Sequence, residues 1–143
     1  MQTKVSEFFS TLSPGGRLAG IDWGRERMGI SLSDPLFLIA TPLITLQRCQ
    51  SYSMMDHLVT LLNEHEISGI VLGLPLKEDG TENPLCPMIR KFAKALQDKY
   101  PCPLLFWNER LSSYEAKNLR PKIQNVDHIA ASLLLQEVLN QKL

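Results

Sequence analysis

Gly20-Ile21-Asp22-Trp23-Gly24-Arg25-Glu26-Arg27-Met28-Gly29-Ile30 is the stretch on which the fold turns. Leu18, Ala19 and Ile21 read as a buried strand, and Gly24 starts a turn. Met28, Ile30 and Leu32 then alternate with smaller or polar residues as a second strand. The segment is a hairpin carrying one carboxylate, Asp22, at the end of its first strand, against two glycines that let a phosphate-bearing ligand come close. An acid at that handover is poorly placed for packing and well placed for holding a cation. The competing reading is an Asp that organises the turn through its own backbone bonds.

Outward from the hairpin the elements follow one another with short punctuation. Asp34-Pro35 is a turn signal, and Ala40 to Leu46 reads as a third strand. Pro42 cannot donate to a ladder, which places that strand at a sheet edge. Met55, Leu58, Val59 and Leu62 mark a helix, and Ile67 to Leu72 is an apolar strand closed by Gly73-Leu74-Pro75. Asn83-Pro84 reads as an N-cap with proline at the first helical position. Leu85, Met88, Ile89, Phe92 and Leu96 form the stripe of the helix that follows. Leu104 to Trp107 is a further strand ending in Asn108-Glu109-Arg110. Ser112 with Glu115 fits a capping box. The last helix starts near Val126, with Ile129, Ala130, Leu133, Leu134 and Val138 facing inward.

Three strands joined by short turns make an antiparallel meander, whereas strands entered through helices are expected to be parallel. The fold class is therefore α/β, a mixed five-stranded sheet covered by helices on both faces. Before it, residues 1–16 form an N-terminal extension. Val5, Phe8, Phe9 and Leu12 give it a short amphipathic helix that packs on the domain, and Ser13-Pro14-Gly15-Gly16 makes a flexible join. Residues 17–143 make the domain itself.

A chain of 143 residues is long enough to bury a core without disulfide or metal staples. Its 15 basic residues balance its 15 acidic ones, which argues against a surface coated in positive charge and leaves room for local basic patches. Cys49, Cys86 and Cys102 form no C-x-x-C pair and no metal spacing with histidine. With no signal peptide and no apolar run long enough to span a bilayer, the expected location is the cytoplasm, away from membranes.

Three acids stand beside the ends of regular elements: Asp22 after the first strand, Glu109 after the last, and Asp127 in the first turn of the final helix. Oxygen ligands gathered from separate segments are what a hard divalent cation on phosphates requires. Each acid also has a plain explanation. Asp127 complements a helix dipole, and Glu109 pairs on the surface with Arg110 or a nearby lysine. Taken together, with Asp22 in its glycine setting, they favour a site.

The motifs resemble those of the YqgF/RuvX family. Gly20-Ile21-Asp22-Trp23-Gly24, Arg27-Met28-Gly29-Ile30 and Ser33-Asp34-Pro35 resemble its opening signature. Gly73-Leu74-Pro75-Leu76 with Asp79-Gly80-Thr81 resembles its G-x-P loop and glycine turn. Asn108-Glu109-Arg110-Leu111-Ser112 resembles D-E-R-L-[ST], and Asp127-His128-Ile129-Ala130-Ala131 resembles D-x-x-A-A. The motifs run in order from Arg17 to the C-terminus. The resemblance implies an RNase H-like fold related to Holliday-junction resolvases. It also implies a hydrolase that cuts phosphodiester bonds of structured RNA in maturation of the 16S rRNA 5′ end. Asp22, Glu109 and Asp127 would be its catalytic acids and its ligands for Mg2+ or Mn2+. The partner would be precursor 16S rRNA or a pre-ribosomal particle, met by a monomer or weak homodimer.

Asn108 departs from the family, which has aspartate there. An amide still caps or donates to a phosphate, and with Glu109 in place it is expected to shape the turn as the acid would. In the expected sheet order the strand before Glu109 is an edge strand, so Glu109 must reach toward Asp22, or Glu78 and Asp79 must lean in. Arg27 and Arg110 lie inside the motifs, and Lys77, Arg120 and Lys122 lie beside them, as candidates for holding a phosphate backbone. Arg25 and Lys117 taken singly are ordinary solvated charges. Trp23 reads as a core-packed residue or a base-stacking one, and His128 as a possible proton carrier. Two other functions fit the same fold: a DNA-junction resolvase, and a non-catalytic nucleic-acid-binding or transcription factor. A sugar-kinase-like ATPase, which needs two such domains, does not fit this length.

Overall fold

The computed structural model describes residues 2–51, 53–76, 79–81, 83–108 and 127–142. Five strands form one sheet: β1 (Arg17–Asp22), β2 (Arg27–Ser33), β3 (Ala40–Gln47), β4 (Ile67–Leu74) and β5 (Leu104–Asn108). Their order across the sheet is β3-β2-β1-β4-β5. The first three strands pair antiparallel, whereas β1, β4 and β5 run parallel. Helices α2 (Met54–Glu64) and α3 (Cys86–Lys99) make the crossovers, α1 (Gln2–Ser10) precedes the sheet, and α4 (Asp127–Asn140) follows it. This is the RNase H-like α/β architecture anticipated from the sequence.

Strand alternation sorts the side chains into two cores. Ala19, Ile21, Met28, Ile30, Ile70, Leu72 and Leu74 face α2 and α3, which supply Leu58, Leu62, Ile89, Ala93 and Leu96. Leu18, Val71 and Leu105 face the other way, toward Val5 and Phe8 of α1 and Leu134, Leu135, Val138 and Leu139 of α4. The central strands are apolar on both faces because helices cover both. Each fully buried leucine or isoleucine removed from water contributes about 1.5–3 kcal/mol. β3 is one edge of the sheet, and its Pro42 sits where the β2–β3 register shifts between Ile30 and Ser31.

Two boundaries and one helix face differ from the sequence reading. β4 continues through Gly73 and Leu74, which pair with Trp107 and Asn108. Asn83 does not cap α3 at the expected place. Its Oδ1 accepts from Leu85 N and its carbonyl from Cys86 N, both at 2.9 Å. Asn83-Pro84 thus forms a turn ahead of the helix, which begins at Cys86. In α4 the buried face centres on Ala130, Ala131, Leu134, Leu135, Val138 and Leu139, leaving Ile129 and Leu133 half-buried. A helix apolar nearly all round carries little directional signal, and contacts with the sheet choose its inner face. The short helix anticipated at Ser112 lies outside the described residues. Among the described residues no helix is long and apolar enough to cross a membrane.

Candidate functional site

The carboxyl ends of the parallel strands β1, β4 and β5 gather at one edge of the sheet, marked by Asp22, Leu74 and Asn108. Ligands of open α/β sheets bind outside such ends. There Asp22 is opposite Gly29 of β2, and Gly29 is opposite Thr45 of β3. The three residues make a row across the sheet, on the face that α4 covers.

The start of α4 lands on this row because Gly29 has no side chain. A Cβ built there would lie 2.0 Å from the Asp127 carbonyl oxygen and 2.6 Å from His128 N. One turn along, a Cβ at Gly20 would meet Ala131 O at 2.9 Å and Leu135 Cβ at 2.8 Å. Ser31, between them, donates to Ala131 O at 2.8 Å. The glycines of the opening segment therefore make room for the chain itself rather than for a phosphate. Gly24 is the same case at the turn, where an added Cβ would meet Arg27 O at 2.5 Å.

This docking brings two predicted acids to one place. Asp22 is buried at 9% exposure and shares strand parity with Leu18 and Gly20, which face α4. Asp127 is the first residue of α4, where the helix dipole favours a carboxylate. Among the described residues its Oδ2 accepts no hydrogen bond; it is closed to solvent and lies 3.2 Å from Arg27 Nε. The distance makes an ion pair, and the alignment fails to make a hydrogen bond. The Arg27 side chain is 48% exposed against 23% for Asp127, so the cation borders solvent while the anion is held inside. On the other side of Asp127, His128 Nδ1 meets Thr45 Oγ1 at 2.8 Å. Neither the Arg27–Asp127 pair nor the Thr45–His128 pair was legible in the sequence. Only the motif placement of Arg27 and the neighbouring Asp127 gave a hint.

Other expectations resolve differently. Asp79 is engaged within its own turn: its Oδ1 accepts from Thr81 N at 2.9 Å and Thr81 Oγ1 at 2.6 Å, and the Thr81 hydroxyl and then its amide lower its pKa. Trp23 packs against the core, 6.1 Å from the Phe92 ring, rather than standing open for a base. Arg25 Nη2 sits 3.2 Å from Met88 Sδ. Glu109, Arg110, Lys77, Arg120, Lys122 and Glu78 lie outside the described residues. Among the described residues no three metal-ligating side chains come together, and Asp22 and Asp127 are the two predicted ligands the structure places.

A family model described as RuvX, Holliday junction resolvase, matches residues 16–141. Proteins named "Putative pre-16S rRNA nuclease" are similar along nearly the whole chain. The one from Cereibacter sphaeroides is 36% identical over 96% of this chain and 91% of its own length. The one from Rhodobacter capsulatus is 37% identical over the same shares. Among solved structures, Thermus thermophilus RuvC in complex with a Holliday junction superposes with TM-score 0.55 at 9% identity, covering 87% of this chain and 93% of that one. The fowlpox virus Holliday junction resolvase gives 0.52 at 13% identity, covering 87% and 98%. At such identities the likeness is one of fold.

Proposed function

The chain belongs to the RuvX (YqgF) family, and on that premise we propose that it is a divalent-metal-dependent nuclease cleaving structured RNA, acting on the 5′ end of precursor 16S rRNA. The observation that carries this reading is the meeting of Asp22 and Asp127 across Gly29 at the carboxyl end of β1. The donor set suits a hard cation: both groups are carboxylates, Asp22 is buried, and Asp127 Oδ2 is closed to solvent and accepts no hydrogen bond among the described residues. Asp22, Asp127 and Glu109 would hold Mg2+ or Mn2+. The chain leaves β5 at Asn108, on this same edge, immediately before Glu109.

A bound divalent ion supplies water activation and charge stabilisation at phosphorus. The chain's own residues do the positioning. Gly29 fixes the height of Asp127 over the sheet, and Thr45 fixes the ring of His128 beside it. Arg27, with Lys77, Arg110, Arg120 and Lys122, would hold the phosphodiester backbone, making binding fall with added salt.

The deciding experiment incubates wild-type and Asp22→Asn protein with 5′-extended 16S precursor RNA, free and in assembled precursor subunits, with Mn2+ or with EDTA. Metal-dependent cleavage lost in the variant supports the reading. Equal RNA binding by both proteins with no cleavage on either substrate overturns it in favour of a binding factor. A four-way DNA junction belongs in the same assay, because the family description names a junction resolvase; preferential cutting there would move the substrate to DNA.

A further inference from the structure

His128 is held at one ring nitrogen and open at the other. Its Nδ1 meets Thr45 Oγ1 at 2.8 Å, and among the described residues neither side chain has another hydrogen-bond partner. Asp127 Oδ2 is the one shielded side-chain polar atom there without a partner, so His128 Nε2 is not sealed off. The Thr45 hydroxyl has one proton to give and one acceptor in reach, the Nδ1 lone pair. A ring that accepts at Nδ1 carries its own proton at Nε2. The backbone beneath it is fixed as well, because His128 N sits 2.6 Å from where a Cβ at Gly29 would stand. Thr45 lies across Gly29 from Asp22, two strand spacings or about 10 Å from the end of β1.

We infer that His128 Nε2 donates a hydrogen bond to a phosphate oxygen of the bound RNA, and that Thr45 is the positioning residue that sets which ring nitrogen carries the proton. At that separation from Asp22 the phosphate is one beside the scissile one. The contact therefore seats the strand and takes no part in breaking the bond, as phosphate contacts fix register. Without the Thr45 hydroxyl the ring is free to turn and to exchange its two nitrogens, and the donor is aimed for only part of the time. This inference rests on the reading that RNA crosses this edge of the sheet, and it needs no metal.

The test compares wild type with Thr45→Val, Thr45→Ser, His128→Ala and the double variant of Thr45→Val with His128→Ala, with melting curves confirming that each folds. Binding of 5′-extended 16S precursor RNA is measured by fluorescence anisotropy in EDTA, and Mn2+ binding by electron paramagnetic resonance without RNA. His128→Ala is expected to weaken RNA binding about fivefold, as loss of one hydrogen bond does, and Thr45→Val to lose part of the same. Thr45→Ser keeps the hydroxyl and is expected to bind as wild type does, and the double variant no worse than His128→Ala. In cleavage with Mn2+ the loss is expected in KM rather than in kcat. Full RNA affinity in His128→Ala overturns the contact. Full affinity in Thr45→Val, additive losses in the double variant, or weakened Mn2+ binding in Thr45→Val overturns the positioning and makes the pair a pin between α4 and β3. Wild type that binds RNA with the expected pattern and cuts nothing removes the nuclease reading and leaves this inference standing, whereas wild type that binds no RNA removes both.

Discussion

Gly29 of β2 and Asp127 of α4 touch backbone to backbone: a Cβ at Gly29 would lie 2.0 Å from the Asp127 carbonyl oxygen and 2.1 Å from its carbon. Neither atom is the end of a flexible side chain, so the helix start or the strand has to move to admit a methyl group. Overpacking typically costs about 1–3 kcal/mol, and a backbone collision belongs at the upper end or beyond. Gly29→Ala is expected to lower the melting temperature and to weaken Mn2+ binding, because Asp127 is carried off with the helix. Melting curves and a Mn2+ titration on the same sample check both. A variant that melts like wild type and binds Mn2+ as well would mean that Gly29 does not set the height of Asp127.

The sheet was legible in the sequence because each strand carries its own signal. Met28, Ile30 and Leu32 alternate, Pro42 marks an edge, and Ile67 to Leu72 is a compact, mostly apolar run. The acids at element ends were legible for the same reason. Contacts between distant segments were not. Nothing beside Gly20 or Gly29 in the chain says that α4 lies on them, and the Arg27–Asp127 and Thr45–His128 pairs exist only after the sheet and helix dock. The inner face of α4 was legible in part: Ala130, Leu134 and Val138 face inward as expected, whereas Ala131 and Leu135 take the space over Gly20 and Ser31 in place of Ile129 and Leu133, because leucine and isoleucine occupy both sides of the helix.

Asn108 bears on the proposed site through strand parity. Phe106 packs with the core under α2 and α3, whereas Leu105 joins the α4 core and Trp107 Nε1 donates to Glu137 of α4 at 3.0 Å. By alternation Asn108 shares the face of Phe106, opposite to the face of Asp22. An aspartate restored there would point away from the two placed acids. Asn108→Asp is therefore expected to leave the rate of metal-dependent cleavage unchanged. A clear rate increase in a side-by-side cleavage time course would show that position 108 does reach the site.

The three cysteines are expected to react in sequence with their surroundings. Cys49 is exposed, Cys86 is buried, and burial pushes the Cys102 thiol up to about 11, so it stays protonated at neutral pH. The thiolate is the reactive form. Labelling the native protein with N-ethylmaleimide at neutral pH should modify one thiol quickly, and Cys49→Ser should abolish that fast phase. Rapid modification of Cys102, read by peptide mass mapping, would contradict its burial.

Asp34 gives the loop between β2 and β3 its shape and a dependence on pH. Its Oδ1 accepts from Ile39 N at 2.8 Å and Leu38 N at 2.7 Å, and its Oδ2 from Leu36 N at 3.2 Å. The Ile39 amide, followed by those of Leu38 and Leu36, outweighs burial and holds the carboxyl below its ordinary 3.8. The folded-state pKa is depressed, so the stabilisation is fully present above 3.8 and is lost as pH falls through the lower folded value. The loop is also tied to α4, since Gln136 Nε2 donates to Leu38 O at 3.1 Å and Lys142 Nζ to Leu36 O at 3.0 Å. Asp34→Ala is expected to lower stability near neutral pH, and Asp34→Asn to do so less, because its amide oxygen still accepts from the backbone. The gap between wild type and Asp34→Ala should narrow steadily below pH 3.8, where the wild-type carboxyl takes up its proton. Urea unfolding of the three proteins across acidic and neutral pH measures that gap, and a gap that stays constant into acid would remove the carboxylate from the account of this loop.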